Sequence, residues 1–343
     1  MAAPDDPRVI WSRGGATILG YGGERHDPGT GPGRYEAAAA ILRSSGRDLA
    51  FASFTFDPKD EGSVLVIPEE VVSTPVRGIP SRPGVSSRLR VVSDGIQQWR
   101  AGMERIREAL AEGSVEKVVL ARQVEIEVDP GAHPPTLARR LGAAGKSSYT
   151  FLVEGLVGAS PELLVSLREG MLTSLALAGT SADRRALASP KMRQEHAFAV
   201  ETVRAGLERH LLSPVEGSAE SLAFGTIHHL GTRLTGRAAP GTVVTRVLAD
   251  LHPTAAVAGT PRPAALDLIR EIEPRSRGRY AGPVGWFDVT GEGEFAVALR
   301  CGMVDGHRAT LYAGGGIVRG SDPEEELAET ELKLGPMISA LGG

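Results

Sequence analysis

Glu326, Glu329 and Lys333 stand at i, i+3 and i+7 in the stretch AGGGIVRGSDPEEELAETELKL, spacing that puts all three on one face of a helix. Two carboxylates on one face suit a hard divalent cation such as Mg²⁺, and the lysine one turn on suits an anionic ligand group. Upstream, Gly314-Gly315-Gly316 follows the strand-like run Arg308–Tyr312 and reads as a glycine-rich turn whose N–H groups would donate to an anion. Glu195 falls at the edge of an apolar helical stripe, where a charge requires a partner or a metal. Glu162 occupies a Ser-Pro-Glu turn between apolar strands, a place for a partly buried acid with a raised pKa. Lys117 opens a strand, and Arg300 sits among apolar strand residues, where it would face an anion or pair with a glutamate. These residues together describe an acidic divalent-metal site beside an anion-binding turn. A solvated helix face of Glu–Lys ion pairs accounts for the helical ones equally well.

The elements that must position these groups are short strands and amphipathic helices. Ser321-Asp322-Pro323-Glu324 is a helix start, with a Ser or Asp cap, Pro in the first turn and Glu324 or Glu325 completing a capping box. Ser189-Pro190 opens a helix to about Leu212, with Met192, Ala199, Val203 and Leu207 on its stripe. Ile96, Trp99, Met103, Ile106 and Leu110 mark another that stops at Gly113. In the run Lys117–Val128, alternation sends Val118, Leu120, Val124 and Ile126 to one face and Lys117, Val119, Ala121 and Gln123 to the other. Tyr149–Gly158, Leu163–Leu167, Met171–Leu177, Tyr280–Val289, Phe295–Val304 and Ala309–Ala313 read as further strands. His228 and His229 alternate across a strand, so they do not form a metal pair by themselves. Residues 1–92 are strand-rich with one helix, Arg34–Ser44, and Ser73–Arg90 reads as a loop. Hairpins and long helices together imply an α+β domain with helices on antiparallel sheet.

Composition excludes several classes. The 343 residues are 41% hydrophobic and 23% charged, ordinary for a soluble globular chain. A net charge of −4 gives no footprint for nucleic acid. The single cysteine, Cys301, allows no internal disulfide. The N-terminus carries no secretion signal and no run of apolar residues is long enough to span a membrane, so a cytoplasmic protein is expected. Walker A, HExxH, GxSxG and CxxC motifs are absent.

The assembled segments KVVLARQ, ASPELLVSL, LALAGT, EH at 195–196, IHHLGTRLTG, LHPTAAVAGTPRPAAL, GRYAGPVGW, ALRCGMV and the stretch 313–334 resemble the chorismate-using enzymes, and within them the isochorismate synthases. The resemblance runs from about residue 8 to the end. It implies one chorismate-binding α+β domain over 1–343, a large antiparallel β-sandwich covered by helices, with 1–92 as a strand-rich N-terminal part and 93–343 as the catalytic part. By position it assigns Glu195, Glu326 and Glu329 to Mg²⁺. It assigns Gly179, Thr180, His229, Ala256, Val257, Tyr280, Arg300, Gly314, Gly316 and Lys333 to the substrate, chorismate. Lys117 matches the base of the water-using members, and Glu162 the acid. Ala178 is not the lysine that forms a covalent adduct in aminodeoxychorismate synthases, so no amidotransferase partner is expected. Met192 stands where relatives often carry an acid. The implied product serves siderophore or menaquinone biosynthesis. A salicylate synthase, which adds pyruvate elimination, and a non-catalytic chorismate-binding relative are the alternatives; Leu299 beside Arg300 resembles the isomerases.

Overall fold

The computed structural model describes residues 6–82, 87–145, 147–181, 183–224 and 227–342. Among these residues two antiparallel sheets, ten strands each, carry the architecture. The first runs through Gly259–Thr260, Lys117–Asp129, Arg308–Val318, Cys301–Asp305, Leu156–Ser160, Tyr149–Val153, Val9–Arg13, Ala16–Tyr21 and Glu70–Pro75, with Arg88–Ser93 also paired to Lys117–Asp129. The second runs through Val215–Glu216, Ile227–Arg237, Met171–Ser181, Leu163–Arg168, Gly293–Val297, Pro283–Asp288, Leu49–Ser53, Val64–Ile67 and Glu24–His26, with Glu220–Phe224 also paired to Ile227–Arg237. Each sheet mixes strands from before and after residue 92, and the whole is one α+β domain.

Strands such as Val9–Arg13 and Leu163–Arg168 are apolar on both faces because both faces are covered. Phe51, Phe54, Phe151, Val165 and Phe295 belong to the main core, with Trp99, Met103 and Ile106 of the helix Ile96–Glu112 joining it. A second cluster joins Ile10, Leu152, Val124 and Leu311 to Leu137 and Leu141 of the helix Pro134–Ala144 and to Leu334, Met337 and Leu341 of the C-terminal helix Pro323–Gly342. Each fully buried Leu, Met or Phe contributes roughly 1.5–3 kcal/mol. Helices Pro190–Leu207 and Val244–Leu251 cover the second sheet, and Arg34–Ser45 packs on Val244–Leu251.

Four sequence readings change. The run Tyr149–Gly158 is a hairpin turned at Glu154-Gly155, both with positive φ. Phe295–Val304 is two strands, one in each sheet, joined through Ala298–Arg300. The helix Val244–Leu251 falls where the sequence names no element. Ser73–Arg90 contains the end of the strand Glu70–Pro75, a turn at Val76–Gly78 and the start of Arg88–Ser93; residues 83–86 lie outside the described residues. Among the described residues no helix is long and apolar enough to cross a membrane.

Candidate active site

The places where the chain passes from one sheet to the other build a cleft of ≈ 640 Å³. At the first crossing, between Leu156–Ser160 and Leu163–Arg168, Glu162 is buried and lines the cleft. Burial pushes its pKa up to about 8, against the pull of Lys117 and Lys333. At the second crossing Arg300 takes a left-handed backbone, φ 50°. Its guanidinium is buried, which lowers its pKa to about 10 and leaves it cationic at neutral pH. Arg300 is therefore not the strand residue the sequence suggested.

Arg300 Nη2 lies 3.2 Å from His229 Nε2. A guanidinium only donates, so Nε2 accepts, the imidazole proton sits on Nδ1, and Nδ1 donates to Thr180 Oγ1 at 3.1 Å. Burial, then the Arg300 charge, holds the His229 pKa well below its usual value, consistent with a neutral ring. Thr180 and His229 pair across neighbouring strands at a bulge where Gly179 has φ 74°. The Sδ of Met192 would lie 3.4 Å from a Cβ at Gly179, so that side chain packs under the bulge. Arg300 Nη1 is buried with no partner among the described residues, a donor available to a ligand anion.

The three glycines are not a turn. Gly314, Gly315 and Gly316 lie inside the continuous strand Arg308–Val318, paired with Ala121, Leu120 and Val119, and none has positive φ. Their role is close approach. A Cβ on Gly314 would stand 3.1 Å from the Tyr280 hydroxyl, and one on Gly316 would stand 2.3 Å from Glu195 Oε1 and 2.7 Å from Lys117 Cε. A Cβ on Gly315 would meet Glu326 Oε2 at 3.2 Å and Glu329 Oε1 at 3.8 Å. The carboxylates thus gather around a strand stripped of side chains. Tyr280 is stacked on Tyr312 with ring centroids 5.0 Å apart.

Each candidate metal carboxylate is turned to a lysine. Glu195 Oε1 lies 3.2 Å from Lys117 Nζ, Glu326 Oε1 2.7 Å from Lys191 Nζ, and Glu329 Oε1 2.5 Å from Lys333 Nζ. Among the described residues no three His, Cys, Asp or Glu side chains are grouped so as to hold an ion in this arrangement. Desolvation, then Glu329, raises the Glu326 pKa, which shows how crowded with charge the place is. Lys333 Nζ also donates to the Gly314 carbonyl at 2.7 Å. The C-terminal helix that carries these groups is capped by Asp322, whose Oδ1 accepts from the N–H groups of Glu324 and Glu325. Ser321 does not cap; its hydroxyl donates to Glu326.

Lys117 is fully buried, against the solvated position its strand end suggested. Its Nζ has the ion pair to Glu195 but no well-directed hydrogen bond. Of the residues singled out from sequence, Glu162, Gly179, Thr180, Glu195, His229, Ala256, Val257, Tyr280, Arg300, Gly314, Gly316 and Lys333 line the cleft. Lys117, Glu326 and Glu329 are not part of that lining; they lie against the glycine strand, where Gly316, which does line the cleft, leaves Lys117 Cε uncovered. Arg277 and Tyr312 are lining residues the sequence reading passed over. Arg277 holds Glu273 and donates to the carbonyls of Val257 and Val119, so it fixes two walls at once. The Glu273–Arg277 spacing of i, i+4 was its only sequence signal.

Residues 80–342 match the family model described as chorismate binding enzyme. The vibriobactin-specific isochorismate synthase of Vibrio cholerae is 36% identical over 332 residues, covering 89% of this chain and 83% of that protein. A Bacillus anthracis structure, assigned as a 2,3-dihydroxybenzoate-specific isochorismate synthase, superposes with a TM-score of 0.88 at 31% identity, covering 98% of this chain and 96% of the other. MenF, the menaquinone-specific isochorismate synthase of Escherichia coli, gives a TM-score of 0.82 at 25% identity, covering 98% and 88%.

Proposed function

The chain belongs to the chorismate-binding enzyme family, and from that membership and the cleft's geometry we propose that it isomerises chorismate to isochorismate by adding water at C2 and expelling the C4 hydroxyl. The observation that carries the reading is Glu162: a buried carboxyl at the cleft wall whose pKa of about 8 keeps it protonated at neutral pH, as an acid must be. The relatives' names point to the same reaction.

The substrate's negative charge matches Arg300, with its free Nη1, and Lys333, both on the cleft wall. Neutral His229 keeps Arg300 in place without adding a second charge. Lys117 would take a proton from the attacking water, and Glu162 would give one to the departing C4 hydroxyl as the double bonds shift. Water enters and water leaves, so the sum is an isomerisation with no redox change. Lys117 must be neutral to act.

The residues present fit a hard divalent cation. Glu195, Glu326 and Glu329 supply only carboxylate oxygens, the donor chemistry that suits Mg²⁺, and the lysines now paired with them would have to give way to it. When bound, such a cation would anchor the ring carboxylate and stabilise developing negative charge. Incubation with chorismate and Mg²⁺, followed by chromatography with a parallel EDTA sample, tests the reading. A chorismate–isochorismate mixture that EDTA abolishes is expected. Salicylate with equivalent pyruvate would replace it with the salicylate synthase reading, and unchanged chorismate would overturn the assignment of an activity.

A further inference from the structure

Three lysines face the three carboxylates, and the reaction above uses two of them, Lys117 and Lys333. Lys191 is left over. It lies in the first turn of the helix Pro190–Leu207, one turn ahead of Glu195 and on the same side. Its ammonium donates to Glu326 Oε1 at 2.7 Å, the oxygen that also accepts from Ser321 Oγ at 2.7 Å. Glu195 and Glu329 act on the same ammonium from further off. The contact therefore ties the helix bearing one candidate metal carboxylate to the helix bearing the other two. Glu326 is almost wholly buried, at 4% exposed, whereas the Lys191 side chain is 26% exposed. The anion is fixed, and the cation has a way out.

We propose that Lys191 is a built-in counter-cation that holds Glu326 in the metal-free protein and must release it when Mg²⁺ binds. The inference rests on the Mg²⁺ reading above. Three carboxylates gathered around one strand repel one another, and a buried carboxylate without a partner is costly. A lysine is suited to the exchange: its charge is compact, its stem is flexible, and a single-point contact is released more readily than a bidentate arginine fork. Metal affinity is then set below what the carboxylates alone would give, because Mg²⁺ displaces a cation already present.

Mg²⁺ titration calorimetry on the intact wild-type and Lys191→Met proteins, with thermal unfolding in EDTA and in excess Mg²⁺, tests this. The variant is expected to bind Mg²⁺ about tenfold more tightly, equal to about 1.4 kcal/mol. It should melt several degrees lower in EDTA, a deficit that saturating Mg²⁺ removes. Equal affinity overturns the proposal, and so does weaker binding, which would make Lys191 a support for Glu326. Should the Met variant not fold in EDTA, Lys191→Arg carries the test. Its two-pronged grip should weaken Mg²⁺ binding several-fold, and unchanged affinity would overturn the idea. No Mg²⁺ binding by any of the proteins would instead remove the metal reading, and the competition with it.

Discussion

Replacing Glu162 with Gln should separate the catalytic proton of this residue from its cost to the fold. The unfolded chain gives up the Glu162 proton as pH rises past its ordinary 4.5, whereas the folded chain keeps it until about 8. Between those values the folded state holds one more proton, so rising pH favours unfolding by up to about 1.4 kcal/mol per pH unit. Across the interval the wild type gives up stability on the order of a few kcal/mol, with about 5 kcal/mol as the ceiling. Gln keeps the shape, stays neutral and removes that slope. Urea midpoints at pH 5, 6.5 and 8 should therefore diverge, with the variant gaining on the wild type as pH rises and the gap levelling off above 8. The same protein should lose about 10²- to 10⁴-fold in kcat with chorismate. Wild-type activity should fall on the alkaline side near pH 8, where the acid loses its proton. A stability difference that stays constant with pH would refute the buried, protonated carboxyl. Near-normal turnover by the variant would refute its role as acid.

Three other perturbations follow from the same geometry. Lys117→Ala should lower kcat by about 10²- to 10⁴-fold with little change in KM, because Lys117 is given a proton-transfer role and no part in holding the substrate; steady-state kinetics decides it. Gly316→Ala places a methyl 2.3 Å from Glu195 Oε1 and 2.7 Å from Lys117 Cε, so activity should collapse while circular dichroism still reports a folded chain. Arg300→Lys keeps a charge but loses the fork that reaches both His229 and the ligand; KM for chorismate should rise about 10- to 100-fold, the worth of a hydrogen bond to a charged group.

The acidic face of the C-terminal helix was legible in the sequence because helical spacing and a Ser-Asp-Pro start are local signals. So was the helix stripe from Ile96 to Leu110. What was illegible depends on contacts remote in sequence. The glycine run looks like a turn until the Glu195 and Tyr280 side chains are seen pressing against it. Lys117 looks like a solvated strand end because nothing nearby in sequence announces Glu195. The break at Ala298–Arg300 has no Gly or Pro to mark it, since the crossing between sheets is held instead by Ala281 N–H donating to the Ala298 carbonyl and by the buried Arg300 side chain. Burial likewise decides Glu162: the turn was visible, but only the packing around it raises its pKa.

If water attacks C2 while the C4 hydroxyl departs, the new oxygen comes from solvent. Running the reaction in H₂¹⁸O and recording the mass of the isochorismate formed at early times checks this. One ¹⁸O atom is expected in the product, located at C2, with label entering chorismate at C4 as the reaction reverses. Isochorismate formed without label would show that the hydroxyl migrates within the substrate, and would contradict the roles given to Lys117 and Glu162.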